Sequence, residues 1–555
     1  MKKKLISLIM VALCCLAMGV GCASNSKEEL TFVSGDKCKV VVVGDAEANY
    51  VSAIVQKFND VTGVTPKVYS GEEAPEDLTQ IVVGNPDELD VSELASEIPY
   101  FGYLIRVLEG NVYILAYDDE VLIEAVTDFL GEFENWYSDD KMKIEGNYEV
   151  LKSVSEEFPV AEVPYLEGGE NAGVFDCDND HQMVLVEGVE KDEFEAYCNE
   201  LASNGYSLYS ENEINGNLFK TYYTEEGVML HTYWTEFFEE VRTIVAKTSL
   251  LPIQSNTDAV CTPLLHQFKA LDEEQADGGM GYAIRLADGR FIIVDGGDPT
   301  EENRDAIYTF LKENALDPNN IVIASWYITH AHEDHGGAFL EFAEKYSSDN
   351  SIKLESIMFN PCDTSEQMMY CTSITMNLES TFATNYPNVP IYKPLTGQVY
   401  TFGKTTIEIL YTMSDFLPNT IQYESDGKGG DYNIQSMVSI IDIDSTADLK
   451  DRWFVMGDTT TTACNEMCYR YGDYMKCDYV QVSHHGLAPL PTGANCRRHG
   501  ATVEIYGLID ADIALWPTSE AKVKERSELE VNDYLVSIVD EIVTAGKGGR
   551  TFEIK

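Results

Sequence analysis

The spacing of apolar and polar residues divides the chain into three stretches. In residues 37–152 the run CKVVVV predicts a buried strand, and Tyr50, Ile54 and Phe58 recur at helical spacing. Short strands are expected near Lys67–Tyr69 and Gln80–Val83. GYLIRVLEGNVYILAY reads as two strands meeting at Gly110-Asn111, and VLIEAVTDFLGEF as a closing helix, so this stretch is expected to be a small α/β domain. In residues 153–252, VEKDEFEAYCNELASNGY places Phe194, Tyr197, Cys198 and Leu201 on one helical face and stops at Asn204-Gly205. LFKTYYTEEGVMLHTYWTEFF supplies strands around Glu225-Glu226-Gly227, which makes this an α+β domain. From 255 to 555 strands and helices alternate, and no segment repeats at a fixed period.

The first 22 residues fit none of these patterns. Lys2, Lys3 and Lys4 precede an apolar run, the small residues Gly19 and Gly21, and then Cys22. This arrangement is an export signal rather than part of a fold. It resembles a bacterial lipoprotein signal, although Gly19 stands where leucine is usual. The resemblance implies lipidation at Cys22, a polar tether over 23–36, and a protein held by lipid on the extracytoplasmic face of the cell membrane. Ordinary cleavage nearby and an uncleaved anchor are the alternatives. No later run reaches the ~18 apolar residues of a membrane span. Beyond Cys22, ten cysteines are scattered without a C-x-x-C pair, which excludes a zinc ribbon and leaves both disulfides and free thiols open.

Charge changes the picture next. The chain of 555 residues carries 38 basic and 94 acidic side chains, a net charge of −56. Such a surface repels polyanions, so stable nucleic-acid binding is not expected. The charge is uneven. Residues 23–254 hold 48 acidic and 13 basic side chains, and residues 255–555 hold 46 and 22. Residues 481–500 contain no Asp or Glu and include Arg497 and Arg498, which suit a phosphate-facing rim as well as an ordinary polar loop.

The chemistry lies in the histidines. Only nine occur, and three fall in THAHEDHGG as His330, His332 and His335, with Asp334 among them. The apolar run IVIASWYI predicts a buried strand that ends where these residues begin. Alternation puts His330 and His332 on one side, and the turn into a helix swings Asp334 and His335 toward a second position. Imidazole with carboxylate suits zinc, manganese or iron. His181 and His231 read as packing or surface residues, and His266 and His499 as core or surface ones.

These residues resemble the metal-binding signature of the metallo-β-lactamase superfamily. FIIVDGG is similar to the early strand ending in an aspartate, here Asp295, that braces the ligand loop. RWFVMGD is similar to the strand ending in the bridging aspartate, here Asp458, and DYVQVSHHG to the strand delivering the last histidine. The GD and HHG motifs are closest to the branch containing the C-terminal domain of the competence protein ComEC and the phosphorylcholine esterases. NIQSMVSI resembles that branch's N-x-x-S-x-V stretch, with Asn433 and Ser436. Residues 37–152 are similar to the small α/β domain that precedes catalytic domains in several glycoside hydrolases, and no functional residue carries over from there.

The resemblance implies an αββα metallo-β-lactamase sandwich over 255–555, preceded by two small α/β or α+β domains. It implies one or two zinc ions, or manganese or iron. His330, His332 and Asp458 would hold the first ion; Asp334, His335, Asp458 and His485 would hold the second. No histidine lies between 336 and 483, so the third histidine that many members add to the first metal is missing. His485 is the expected ligand, with His484 a phosphate or supporting contact. Asp334, His484 and His485 are the expected catalytic residues; Asn433, His484, Arg497 and Arg498 are expected to face substrate. A metal-bound hydroxide is the expected nucleophile, and the substrate a small or polymer-borne phosphoester. No G-x-S-x-G elbow or P-loop supports another hydrolase class. The alternative is a cell-surface binding protein whose front domains hold glycan or a partner over a vestigial metal fold.

Overall fold

The structure is a computed structural model. It describes residues 29–554 apart from 45–47, 71–73, 76–77, 85–90, 92–93, 95–97, 99–101, 117–118, 153–162, 165, 167, 179–180, 247–249, 270–278, 361–372, 417–431, 447–448, 488–499 and 548. The chain divides into two compact units, 1–161 and 162–555.

In the first unit a six-stranded sheet is built from Glu149–Lys152, Tyr103–Leu108, Asn111–Ala116, Thr79–Val83, Val40–Val43 and Lys67–Tyr69, in that order. Helices Asn49–Thr62 and Asp119–Gly131 bury Ile54, Phe58, Leu122 and Phe129 against it. The hairpin turns at Glu109-Gly110, one residue before the expected pair. Both turn residues have positive φ (52° and 83°), and Leu108 pairs with Asn111. This is the left-handed geometry a two-residue hairpin needs, and Gly110 supplies half of it at no steric cost.

The second unit contains an αββα sandwich. One eight-stranded sheet includes β1 (Phe291–Asp295) and its parallel neighbour β2 (Ile321–Tyr327), which leads into α1 (Glu333–Tyr346). The other includes β3 (Leu449–Val455), followed by α2 (Thr461–Tyr471), then β4 (Tyr479–Gln481) and β5 (Ile513–Trp516), with β3, β4 and β5 parallel. Alternation along β1 explains the layering. Ile292 and Val294 face the second sheet and meet Ile441, Trp453 and Val455. Phe291 and Ile293 point the other way, under Ile307, Phe310, Phe339 and Phe342 of the covering helices. Strands buried on both faces need apolar residues at every position, as FIIV supplies.

The stretch at 170–246 is α+β: a six-stranded antiparallel sheet and the helix Lys191–Ser203. The pattern change near 252–255 does not separate two cores. Phe175, Met183, Phe219, Tyr233 and Ile244 of this sheet share one cluster with Val438, Ile440, Phe454 and Val480 of the sandwich. Buried polar contacts pin the contact. Arg470 lies 2.6 Å from Asp415 and 3.3 Å from Glu240, and Tyr233 donates to Asp415 at 2.8 Å. His231 is consumed here, meeting Thr221 Oγ1 at 2.9 Å and the Thr396 carbonyl at 2.7 Å, so it has the packing role its sequence context suggested. The sheet therefore serves as part of the sandwich's outer layer.

Six cysteines among the described residues are free thiols: Cys38, Cys198, Cys261, Cys464, Cys468 and Cys477. Among the described residues, no helix is long and apolar enough to cross a membrane. Cys22 lies outside the described residues.

Candidate metal centre

Each strand of the site contributes at its C-terminal end. This is where a parallel sheet leaves backbone free to turn and ligands gather. β1 ends in Asp295, which is fully buried with φ 55°. Its carboxylate accepts from Thr329 N (2.7 Å), Thr329 Oγ1 (2.8 Å) and His335 Nδ1 (2.8 Å). Trp326, in the buried strand, donates Nε1–H to the Asp295 carbonyl at 2.8 Å. One carboxylate therefore braces both the start of the ligand loop and the ring of a ligand.

β2 ends two residues before Thr329-His330. His332 is the N-cap residue of α1, so Asp334 and His335 lie in its first turn. The His330 ring centre lies 4.6 Å from that of His332 and 4.1 Å from that of His335. After β3 the chain passes Met456 and Gly457 to Asp458, whose N–H donates to Ser436 Oγ at 3.1 Å. Gly457 has φ 53°, and a Cβ there would meet Ser436 and Thr329 at 3.1 Å. Helix α2 is capped by Thr460, which accepts from Ala463 N, so Asp458 does not cap it. After β4 come His484 and His485, both left-handed (φ 49° and 52°), followed by Gly486 at φ 81°.

Two donor groups result, and they share Asp458. Asp334, His335, Asp458 and His485 form one; His330, His332 and Asp458 form the other; within each, the candidate ligand atoms lie within 4.8 Å of one another. The second imidazole of the SHHG pair, not the first, belongs to the four-residue group. His484 stands beside it, with Nε2 3.7 Å from Asp458 and 3.4 Å from Asn433 Nδ2. It is 12% exposed and Asp334 is 30% exposed, so these two side chains mark the open side. Arg497 and Arg498 lie outside the described residues.

The donor set fits a metal. His330 Nε2, His335 Nε2, His485 Nε2 and Asp458 Oδ1 are buried without a hydrogen-bond partner, a costly state for four converging polar atoms. His485 Nε2 lies 2.8 Å from Asp334 Oδ2, and the two belong to the same four-residue donor group. The opposite ring nitrogens are engaged. His335 Nδ1 faces Asp295, His485 Nδ1 donates to the Pro517 carbonyl (2.8 Å), and His330 Nδ1 lies 3.2 Å from Thr329 Oγ1. These bonds fix each ring with its Nε2 lone pair turned inward.

The electrostatics agree. Burial, with His335 and His332 nearby, holds His330 well below the usual histidine range, so it stays neutral. Burial disfavours an imidazolium at His335, but Asp458, Asp334 and Asp295 outweigh it and raise that group. Burial disfavours a carboxylate at Asp458, but His335, His485 and His484 outweigh it and keep Asp458 ionised. Sequence reasoning missed Asp298, whose carboxyl is pushed up to about 6 by burial and then by Asp334. It follows FIIVDGG, and no spacing rule points to it.

The fold and this arrangement define a metal-binding αββα domain. Residues 276–348 match the family model described as Metallo-beta-lactamase superfamily, and the C-terminal half of the chain has the metallo-beta-lactamase fold. No curated protein matches the chain. Among solved structures, the chain is similar to the metallo-beta-lactamase fold protein YhfI from Bacillus subtilis (12% identity, TM-score 0.32, covering 53% of this chain and 100% of that one). It is similar to CmlA, a diiron beta-hydroxylase from Streptomyces venezuelae (13% identity, TM-score 0.33, 54% and 55%). It is also similar to a diphosphatase from the PhnP family (9% identity, TM-score 0.29, 53% and 98%). At these scores nothing about chemistry passes from those proteins to this one.

Proposed function

We propose that the protein is an exported, lipid-anchored metallohydrolase that cleaves a small or polymer-borne phosphoester, with zinc as its metal. The supporting observation is the convergence of unpartnered His330, His335 and His485 Nε2 atoms on Asp458. His330, His332 and Asp458 would hold one ion and Asp334, His335, Asp458 and His485 the other. Bound metal supplies Lewis-acid polarisation of the ester and a lowered pKa for the attacking water. Asp295 keeps His335 in the tautomer that leaves Nε2 available. Asp334, on the open side, orients the water. His484, beside Asn433, hydrogen-bonds the leaving oxygen and passes it a proton. The acid-free stretch 481–500, with Arg497 and Arg498, favours a phosphate group over a lactone or β-lactam.

The test is a substrate panel on zinc-reconstituted protein beginning after Cys22: phosphodiesters, phosphomonoesters, lactones and nitrocefin. Hydrolysis of bis(p-nitrophenyl) phosphate that disappears in His332→Ala supports the reading. Turnover confined to nitrocefin or lactones refutes it. Arg497→Ala with Arg498→Ala should raise KM for anionic esters more than for neutral ones.

A further inference from the structure

The ligand His485 sits in a backbone conformation that its own sequence disfavours. Residues 484–486 all have positive φ (49°, 52° and 81°), and only Gly486 adopts that region freely. Three side chains from the C-terminal segment hold this turn. Trp516, at the end of β5, donates Nε1–H to the His485 carbonyl at 2.9 Å. Arg526, in the last turn of α3 (Glu520–Arg526), donates Nη1–H to the same carbonyl at 2.6 Å. Asn532, in α4 (Glu530–Ile538), donates Nδ2–H to the Gly486 carbonyl at 2.7 Å and to the Arg526 carbonyl at 2.9 Å. Arg526 is 6% exposed and Asn532 is 2% exposed. A buried guanidinium spent on a backbone carbonyl is a charge-assisted bond, stronger than a neutral one. The carbonyl of Pro517, the residue after Trp516, accepts from His485 Nδ1 at 2.8 Å. The segment 516–532 thus grips His485 by its ring, its carbonyl and the following peptide.

We propose that Arg526, with Trp516 and Asn532, is a positioning clamp for His485, and that through it the C-terminal segment sets metal affinity at the four-ligand position alone. The proposal rests on the metal reading of the site and not on the identity of the substrate. None of the three clamp residues belongs to either donor group. Removing the grip frees the turn to leave its left-handed conformation, and the imidazole swings away from Asp334, His335 and Asp458. The three-ligand group of His330, His332 and Asp458 shares the aspartate with the four-ligand group and does not include His485.

The experiment is a zinc titration against a chromophoric chelator, run as a double-mutant cycle between Arg526 and His485. The parent carries His332→Ala, which leaves the four-ligand position. Adding Arg526→Met, which keeps the apolar stem, should weaken zinc by about tenfold to a hundredfold, the range typical of groups that orient a ligand. In a parent that also carries His485→Ala, the same Arg526→Met should change affinity by less than twofold, because the ring it positions is gone. Trp516→Phe keeps the ring bulk, removes one donor and should weaken zinc in the same direction. Cobalt(II) in place of zinc should show a lowered absorption intensity in Arg526→Met and in Trp516→Phe. Equal losses with and without the His485 ring would mean a general structural role and would overturn the proposal, as would unchanged affinity. A His332→Ala parent that takes up no zinc overturns the metal reading itself, before Arg526 is touched.

Discussion

Replacing Asp295 with Asn tests the support of the metal centre while leaving its ligands in place. The substitution keeps the volume, and Asn tolerates the positive φ (55°) at this position nearly as well as Asp. What changes is the donor count. Asp295 accepts three hydrogen bonds, from Thr329 N, Thr329 Oγ1 and His335 Nδ1. An amide has one oxygen, so in either orientation its NH2 faces a group that now donates. If the oxygen serves Thr329 N, the NH2 meets His335 Nδ1. The imidazole relieves that clash by moving its proton to Nε2, the atom that faces Asp458 at 3.2 Å. The lone pair needed for metal is then lost. If the amide flips, Thr329 N is left buried and unsatisfied, and the ligand loop loosens. Each hydrogen bond to the charged carboxylate is worth about 1.5–3 kcal/mol. Losing one or two should lower stability by about 2–4 kcal/mol and zinc affinity by about tenfold to a hundredfold. Denaturant unfolding and chelator competition measure the two effects. Nitrogen-15 spectra of the histidines report the tautomer. Zinc affinity within twofold of the parent, with His335 still protonated at Nδ1, would refute the argument.

Three further outcomes are expected. Zinc affinity should rise across pH 6–8, because His335 and His485, raised against burial by Asp458 and Asp334, hold protons that the metal displaces; the slope is about tenfold per pH unit for each proton released, and a flat profile refutes it. Gly486→Ala should cost about 1–3 kcal/mol and disturb His485, since φ is 81° and the new Cβ would lie 2.5 Å from Trp516; an unchanged melting curve would show the turn to be unstrained. A chain starting at 255 should express as aggregate or melt without cooperativity, because Val438, Ile440, Phe454 and Val480 lose their cover and Arg470 loses Glu240, whereas residues 162–555 should unfold cooperatively; a soluble, cooperative 255–555 would refute the shared core.

Much of the site was legible because its ligands lie close together along the chain. His330, His332, Asp334 and His335 are fixed by one strand end and one helix start, and their spacing alone dictates two donor positions. Asp458 and His485 were legible by resemblance, through the GD and HHG motifs. The supporting contacts were not. Trp516, Arg526 and Asn532 act on backbone carbonyls, and a carbonyl carries no sequence signal, so nothing in the chain marks which distant donor it will meet. The shared core was hidden for a similar reason. Met229–Thr235 is buried along its whole length although it contains His231, Thr232 and Thr235. Its polar residues carry no sign of burial on both faces, and only the structure shows Thr396 and Thr243 receiving two of them. At the hairpin of the first unit, EGN offers two overlapping turn dipeptides, and pairing of Leu108 with Asn111 decides between them.

Backbone strain sharpens where the chemistry is. Nine described non-glycine residues have positive φ. Glu109, Asp139, Asp140, Asn215 and Glu239 sit in hairpin turns, and Asp510 ends a helix, all places where the left-handed region is ordinary. The other three are Asp295, His484 and His485, each at or just past the end of a strand in the metal centre. A left-handed residue with a side chain costs about 1–2 kcal/mol. Hairpin register can offset that cost at a turn, but these three lie outside any hairpin. What offsets it here is a set of buried donors: Trp326 on the Asp295 carbonyl, and Trp516 with Arg526 on that of His485. An indole at the C-terminal end of each sheet therefore holds the carbonyl of a strained site residue. The bonds that hold these residues come from the packed layers of the sandwich, which is why the centre's geometry should respond to changes far from the ligands.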